Sequence, residues 1–80
     1  MDISKYDVHV TDHAFERADE RGIHPDLIEK TLLHGKIRRF GKNYVKFTSK
    51  GKRTIICVCE IIGNGLKVLT IEEYKNEKMR

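Results

Sequence analysis

Apolar and polar positions divide the chain into two helical stretches followed by a run of strands. Tyr6-Asp7-Val8-His9-Val10 alternates weakly, as a short strand would. The period then changes to that of a helix, in which Ala14, Phe15 and Ala18 share one apolar face. Thr11 or Asp12 is placed to cap this helix, and Glu16 suits its first turn. The helix runs to about Arg21 and stops at Gly22, the residue that a left-handed C-terminal cap prefers. A second helix starts at Pro25, which fits the first helical position, and ends at Gly35. Its buried stripe is Leu27, Ile28, Thr31 and Leu32.

The rest reads as strands separated by turns. Lys36–Phe40 leads into the turn Gly41-Lys42-Asn43. Tyr44–Thr48 alternates, with Val45 and Phe47 directed inward. Ser49-Lys50-Gly51-Lys52 turns into the long strand Arg53–Ile62, and Gly63-Asn64-Gly65 leads to Leu66–Glu72. Arg53–Ile62 is apolar on both sides, which predicts a central position and a second face in need of cover from the N-terminal segment or a dimer partner. The expected fold is α+β: two N-terminal helices on one face of a four-stranded antiparallel sheet, with a short extra N-terminal strand as an optional addition. One domain over residues 1–80 is expected, with a core at about 8–72 and a charged tail at 73–80.

Composition narrows the class. The 39% hydrophobic content is low beside 35% charged residues, yet the apolar runs are long enough for a small core. No run of ~18 apolar residues suggests a membrane helix, and the polar start lacks a signal-peptide core. Cys57 and Cys59 would share one side of a strand and so do not read as a disulfide. A cytoplasmic location follows as the expectation. These cysteines also lack zinc-knuckle spacing, so neither a metal nor another cofactor is expected.

Charge changes the picture more. Residues 36–53 hold eight bases and no acid, whereas residues 1–35 hold eight acids and four bases. A dense positive block of this kind is the footprint of a polyanion binder. In the first helix, His13, Arg17 and Arg21 fall in one row between the apolar face and an acidic face. Guanidinium forks match phosphate oxygens and imidazole moves a proton near neutral pH, so this row is a candidate phosphate-handling array. Glu60 stands out as a carboxylate inside an apolar strand, where Arg17 or Arg21 would suit it as a partner.

The run from Thr11 to Ile23, with His13-Ala14, Arg17 and Arg21-Gly22-Ile23, resembles the H-A-x-x-R-x-x-x-R-G-I opening of the domain of unknown function four-two-five-eight family. Asp26-Leu27-Ile28-Glu29, Tyr44, Phe47, Ile55–Val58 and Val68-Leu69-Thr70-Ile71 extend the resemblance over about residues 8–72. His24 departs from it, standing at the second helix cap where Ser, Thr or Asp is usual. The family is similar to RelE-type and barnase-like ribonuclease toxin folds, in which RNA is cut on a sheet face without a metal.

That resemblance implies a fold more firmly than an activity; the basic block and the His13, Arg17 and Arg21 row add the expectation of a small RNA-contacting domain, and with it of a metal-independent ribonuclease toxin. His13 would then serve as base or acid, with Arg17 and Arg21 stabilising the phosphorane. Arg38, Arg39, Tyr44, Lys46 and Arg53 would bind the nucleic acid, with Tyr44 stacking on a base. The alternative is a non-catalytic module that binds nucleic acid or protein. RNA, an antitoxin or other protein, and a second copy of the chain all stand as partners under these readings.

Overall fold

The computed structural model describes residues 3–75. After a short 3-10 turn at Ile3–Lys5 come β1 (Asp7–Val10), α1 (Asp12–Glu20), α2 (Pro25–His34), β2 (Lys36–Phe40), β3 (Tyr44–Ser49), β4 (Arg53–Ile62) and β5 (Gly65–Lys75). The strands form one sheet in the order β1-β5-β4-β3-β2. Both helices and the central place of the long apolar strand are as the pattern predicts.

The sheet departs from four antiparallel strands. It has five and is mixed, because β1 pairs in parallel with β5, Asp7 opposite Gly65 through Val10 opposite Val68. A parallel pair needs a long crossover, which the helices and the meander supply. The pairing places Val8 and Val10 beside buried Leu66 and Val68 and covers part of the outer edge of β5. The N-terminal segment therefore extends the sheet rather than covering its second face. β5 also continues past the predicted end at Glu72 to Lys75, and residues 76–80 of the expected tail lie outside the described residues.

Local chemistry accounts for the helix ends. The Thr11 hydroxyl accepts from the Ala14 N–H at 3.1 Å. Gly22 follows α1 with φ +68°, a conformation that glycine adopts without steric cost. At the second helix, His24 Nδ1 accepts from the Asp26 N–H at 3.1 Å, so the unusual residue does cap. Gly35 ends α2 for a different reason. A Cβ there would lie 2.5 Å from the Thr31 carbonyl oxygen and 2.9 Å from that of Thr48, so helix end and β3 approach backbone to backbone.

Ala14, Ala18, Ile28 and Leu32 pack with Val45, Phe47, Ile55, Cys57, Leu66 and Ile71 in the core. A bulge in the β4–β5 pairing decides which residues of β5 join them. Val58 pairs with Thr70 and Cys59 with Val68, leaving Leu69 as the extra residue. Val68 and Ile71 are then both buried, although strict alternation would put them on opposite faces. The same shift places Thr70 and Glu72 on the face away from the helices.

Candidate nucleic-acid interface

Among the described residues no helix lies on that second face of the sheet. Strand register aligns its side chains in rows, because directly paired residues share a face. One row holds Phe40, Tyr44, Glu60, Lys67 and His9. The next holds Arg38, Lys46, Val58 and Thr70, and a third holds Lys36, Thr48, Ile56 and Glu72. The face is thus basic over β2 and β3, apolar at its centre on β4, and polar over β5.

Phe40 and Tyr44 stack with ring centroids 5.6 Å apart and planes 22° apart. Both remain well exposed, at 41% and 37%. Beside them Arg38 is paired directly opposite Lys46. Like charges in that relationship repel. Among the described residues neither has a carboxylate within ion-pair distance. An anion laid over the pair would relieve the repulsion, and the adjacent ring pair offers a surface for a base.

Three of the five nucleic-acid candidates, Arg38, Tyr44 and Lys46, therefore share this face. Arg39 pairs with buried Val45 and projects on the helix side of the sheet edge. Arg53 also belongs to the helix side. It bonds both carboxylate oxygens of Glu73, with the second contact at 3.0 Å, and donates to the carbonyl oxygens of Arg21 at 3.1 Å and Gly22 at 3.3 Å. The bonded Glu73 carboxylate raises the Arg53 guanidinium above its ordinary range.

The helical row is elsewhere. α1 packs against β5, so His13, Arg17 and Arg21 run near that side of the sheet. β5 and β2 are three strand spacings apart, or ~14 Å. His13 is exposed and Arg17 half-buried. Arg21 donates to the Ile71 carbonyl at 3.0 Å and to Glu72 at 3.1 Å, satisfying the edge of β5 beyond the end of β1. Its acidic partner is thus Glu72, not Glu60. The Glu60 carboxylate has no hydrogen-bond or ion-pair partner among the described residues.

The sequence reading missed Phe40, Lys67, His9 and Glu72. Phe40 was legible in principle, because a Gly41-Lys42-Asn43 hairpin turn sets Phe40 against Tyr44. His9 depends on the parallel β1–β5 pairing and Glu72 on the bulge, whereas the face of Lys67 follows from the β4–β5 hairpin register. Among the described residues no three His, Cys, Asp or Glu side chains gather as metal ligands. Among the described residues no helix is long and apolar enough to cross a membrane. On the helix side, an apolar groove of about 340 Å³ lies between the helices and β1, lined by Val8, Val10, Phe15, Ile28, Leu32 and Leu33.

This arrangement spans the segment matched by the family model described as domain of unknown function (DUF4258), residues 10–73. The chain belongs to that family. The match takes in both helices and strands β2, β3 and β4, together with most of β5 and the last residue of β1. No curated protein and no solved structure matches the chain.

Proposed function

We propose that this domain binds RNA on the uncovered face of its sheet and acts there as a metal-independent ribonuclease of the RelE-like toxin kind. The observation that carries the binding is the stacked Phe40–Tyr44 pair beside Arg38 and Lys46, which among the described residues have no carboxylate partner and lie on a face with no helix over it. Single-stranded RNA offers phosphates to the cations and splayed bases to the rings. The order of two helices followed by an antiparallel meander supports the RelE-like reading.

The test is fluorescence anisotropy with a labelled single-stranded RNA at several salt concentrations. Binding weakens steeply with salt, and Arg38→Ala or Lys46→Ala reduces the logarithmic salt slope by about one unit at most. Tyr44→Ala costs ~1–3 kcal/mol if a base stacks there. Absence of binding at low salt, or binding indifferent to all three substitutions, overturns the proposal.

A further inference from the structure

We infer that the row Glu60–Lys67–His9 on the open face is a catalytic site for RNA transesterification, an inference that rests on the RNA-binding reading above. The three residues lie on adjacent strands in direct register, Glu60 opposite Lys67 on β4 and β5, and Lys67 opposite His9 on β5 and β1. Their chain neighbours Cys59, Leu66, Val68, Val8 and Val10 point the other way, toward the core or the apolar groove. Across β4 the row continues into Tyr44, and Tyr44 stacks on Phe40.

The composition of the row matches the needs of the reaction. A base must take the proton of the ribose 2′-hydroxyl, an acid must protonate the departing 5′-oxygen, and a cation must stabilise the charge on the pentacoordinate phosphorus. Glu60 is half-buried between Val58 and Ile62 on its own strand, and its carboxylate is unpartnered among the described residues. No donor among the described residues competes for the carboxylate oxygens. His9 and Lys67 are exposed. The other histidines serve elsewhere on the helices: His13 on α1, His24 as the α2 cap and His34 in the last turn of α2.

The spacing also fits. Adjacent strands lie ~4.8 Å apart, so Glu60 and His9 stand ~10 Å apart at the backbone with Lys67 midway. An in-line phosphorane carries its attacking and leaving oxygens on opposite sides of phosphorus. Base and acid must each come within ~3 Å of one of those oxygens. Two groups at the ends of such a row, with a cation between them, can reach both oxygens and the equatorial charge together.

The step balances without a co-reactant beyond RNA. The 2′-hydroxyl gives its proton to Glu60, and the 2′-oxygen forms a bond to phosphorus. The bond from phosphorus to the 5′-oxygen breaks, and that oxygen takes a proton from the imidazolium of His9. The products are a 2′,3′-cyclic phosphate and a 5′-hydroxyl end. Proton exchange with water then resets Glu60 and His9. Tyr44 and Phe40 hold a flanking base, and Arg38 with Lys46 holds the neighbouring phosphate.

The test uses the full chain, with Glu60→Gln and His9→Asn compared with wild type. Cleavage of a single-stranded RNA is followed with chelator present, and product ends are mapped. Binding is measured separately on a 2′-deoxy version of the strand, which cannot be cleaved by this route. Circular dichroism checks that each variant folds. The expected result is cyclic phosphate ends from the wild type, with cleavage at least 100-fold slower in both variants. Affinity for the deoxy strand stays within threefold.

Wild-type binding without cleavage overturns the row and leaves the RNA-binding reading intact. So does cleavage by both variants within threefold of wild type, or a loss of cleavage in His13→Ala that both row variants escape. Absence of binding to either strand at low salt overturns both inferences.

Discussion

Arg53 and Glu73 are joined by a two-pronged clasp at the end of the β4–β5 pair, and Arg53 also donates to the backbone carbonyls of Arg21 and Gly22. One guanidinium thus ties the end of α1 to the sheet. A planar fork with five donors can hold both sets of acceptors, whereas an ammonium cannot reproduce that geometry. Arg53→Ala is expected to lower Tm more than Arg38→Ala, and Arg53→Lys to recover only part of the loss. Thermal unfolding followed by circular dichroism measures this. Equal Tm values for the two alanine variants would show that the clasp contributes nothing.

The two cysteines predict a dependence on alkaline pH. Burial pushes the thiols of Cys57 and Cys59 from 9.0 up to about 12. Between those values the unfolded chain loses thiol protons that the folded chain keeps, so stability falls as pH rises. This contribution is fully present below pH 9.0 and declines above it. Urea unfolding at a series of pH values should show the decline, and Cys57→Ala/Cys59→Ala should flatten it while being less stable at neutral pH. A decline of unchanged slope in the double variant would assign it to other groups.

His24 supplies a helix cap through Nδ1, an acceptor only when that nitrogen carries no proton. Removing it with His24→Ala should cost ~0.5–2 kcal/mol in urea unfolding at pH 8. His24→Asp should match or exceed wild-type stability, since a carboxylate both caps and favours the positive end of the helix. A destabilised His24→Asp would mean that the imidazole does more than cap.

Two phenylalanines separate core from groove. Phe47 is fully buried on β3, whereas Phe15 is 52% exposed at the apolar groove. Phe47→Ala should cost ~3–5 kcal/mol. Phe15→Ala should cost below ~1 kcal/mol, because much of its ring already meets water. Chemical denaturation of both variants tests the contrast, and similar losses would contradict the placement of Phe15.

Gly35 predicts the opposite kind of defect. The methyl group of Gly35→Ala would be forced against the carbonyl oxygens of Thr31 and Thr48. Backbone must move, and a loss of ~1–3 kcal/mol in urea unfolding is expected. A neutral substitution would show that the α2–β2 junction has slack.

The sequence by itself determined the local elements. The cap at Thr11, the first-turn proline Pro25, stops at Gly22 and Gly35, and alternation around Val45 and Phe47 act within a few residues of chain, so their signals survive without tertiary context. The basic hairpin that carries Arg38, Tyr44 and Lys46 on one face was legible for the same reason. The direction of pairing at β1 and the bulge at Leu69 came only from tertiary structure. A strand pattern specifies which face is apolar but not which edge it joins, and one extra residue reverses every later side chain. The β1 pairing set His9 on the open face and the bulge set Glu72 there, while His13 and Arg17 stayed with the helix on the other side of the sheet. The local pattern showed which residues carry chemistry; the packing of the sheet edge decided which of them meet.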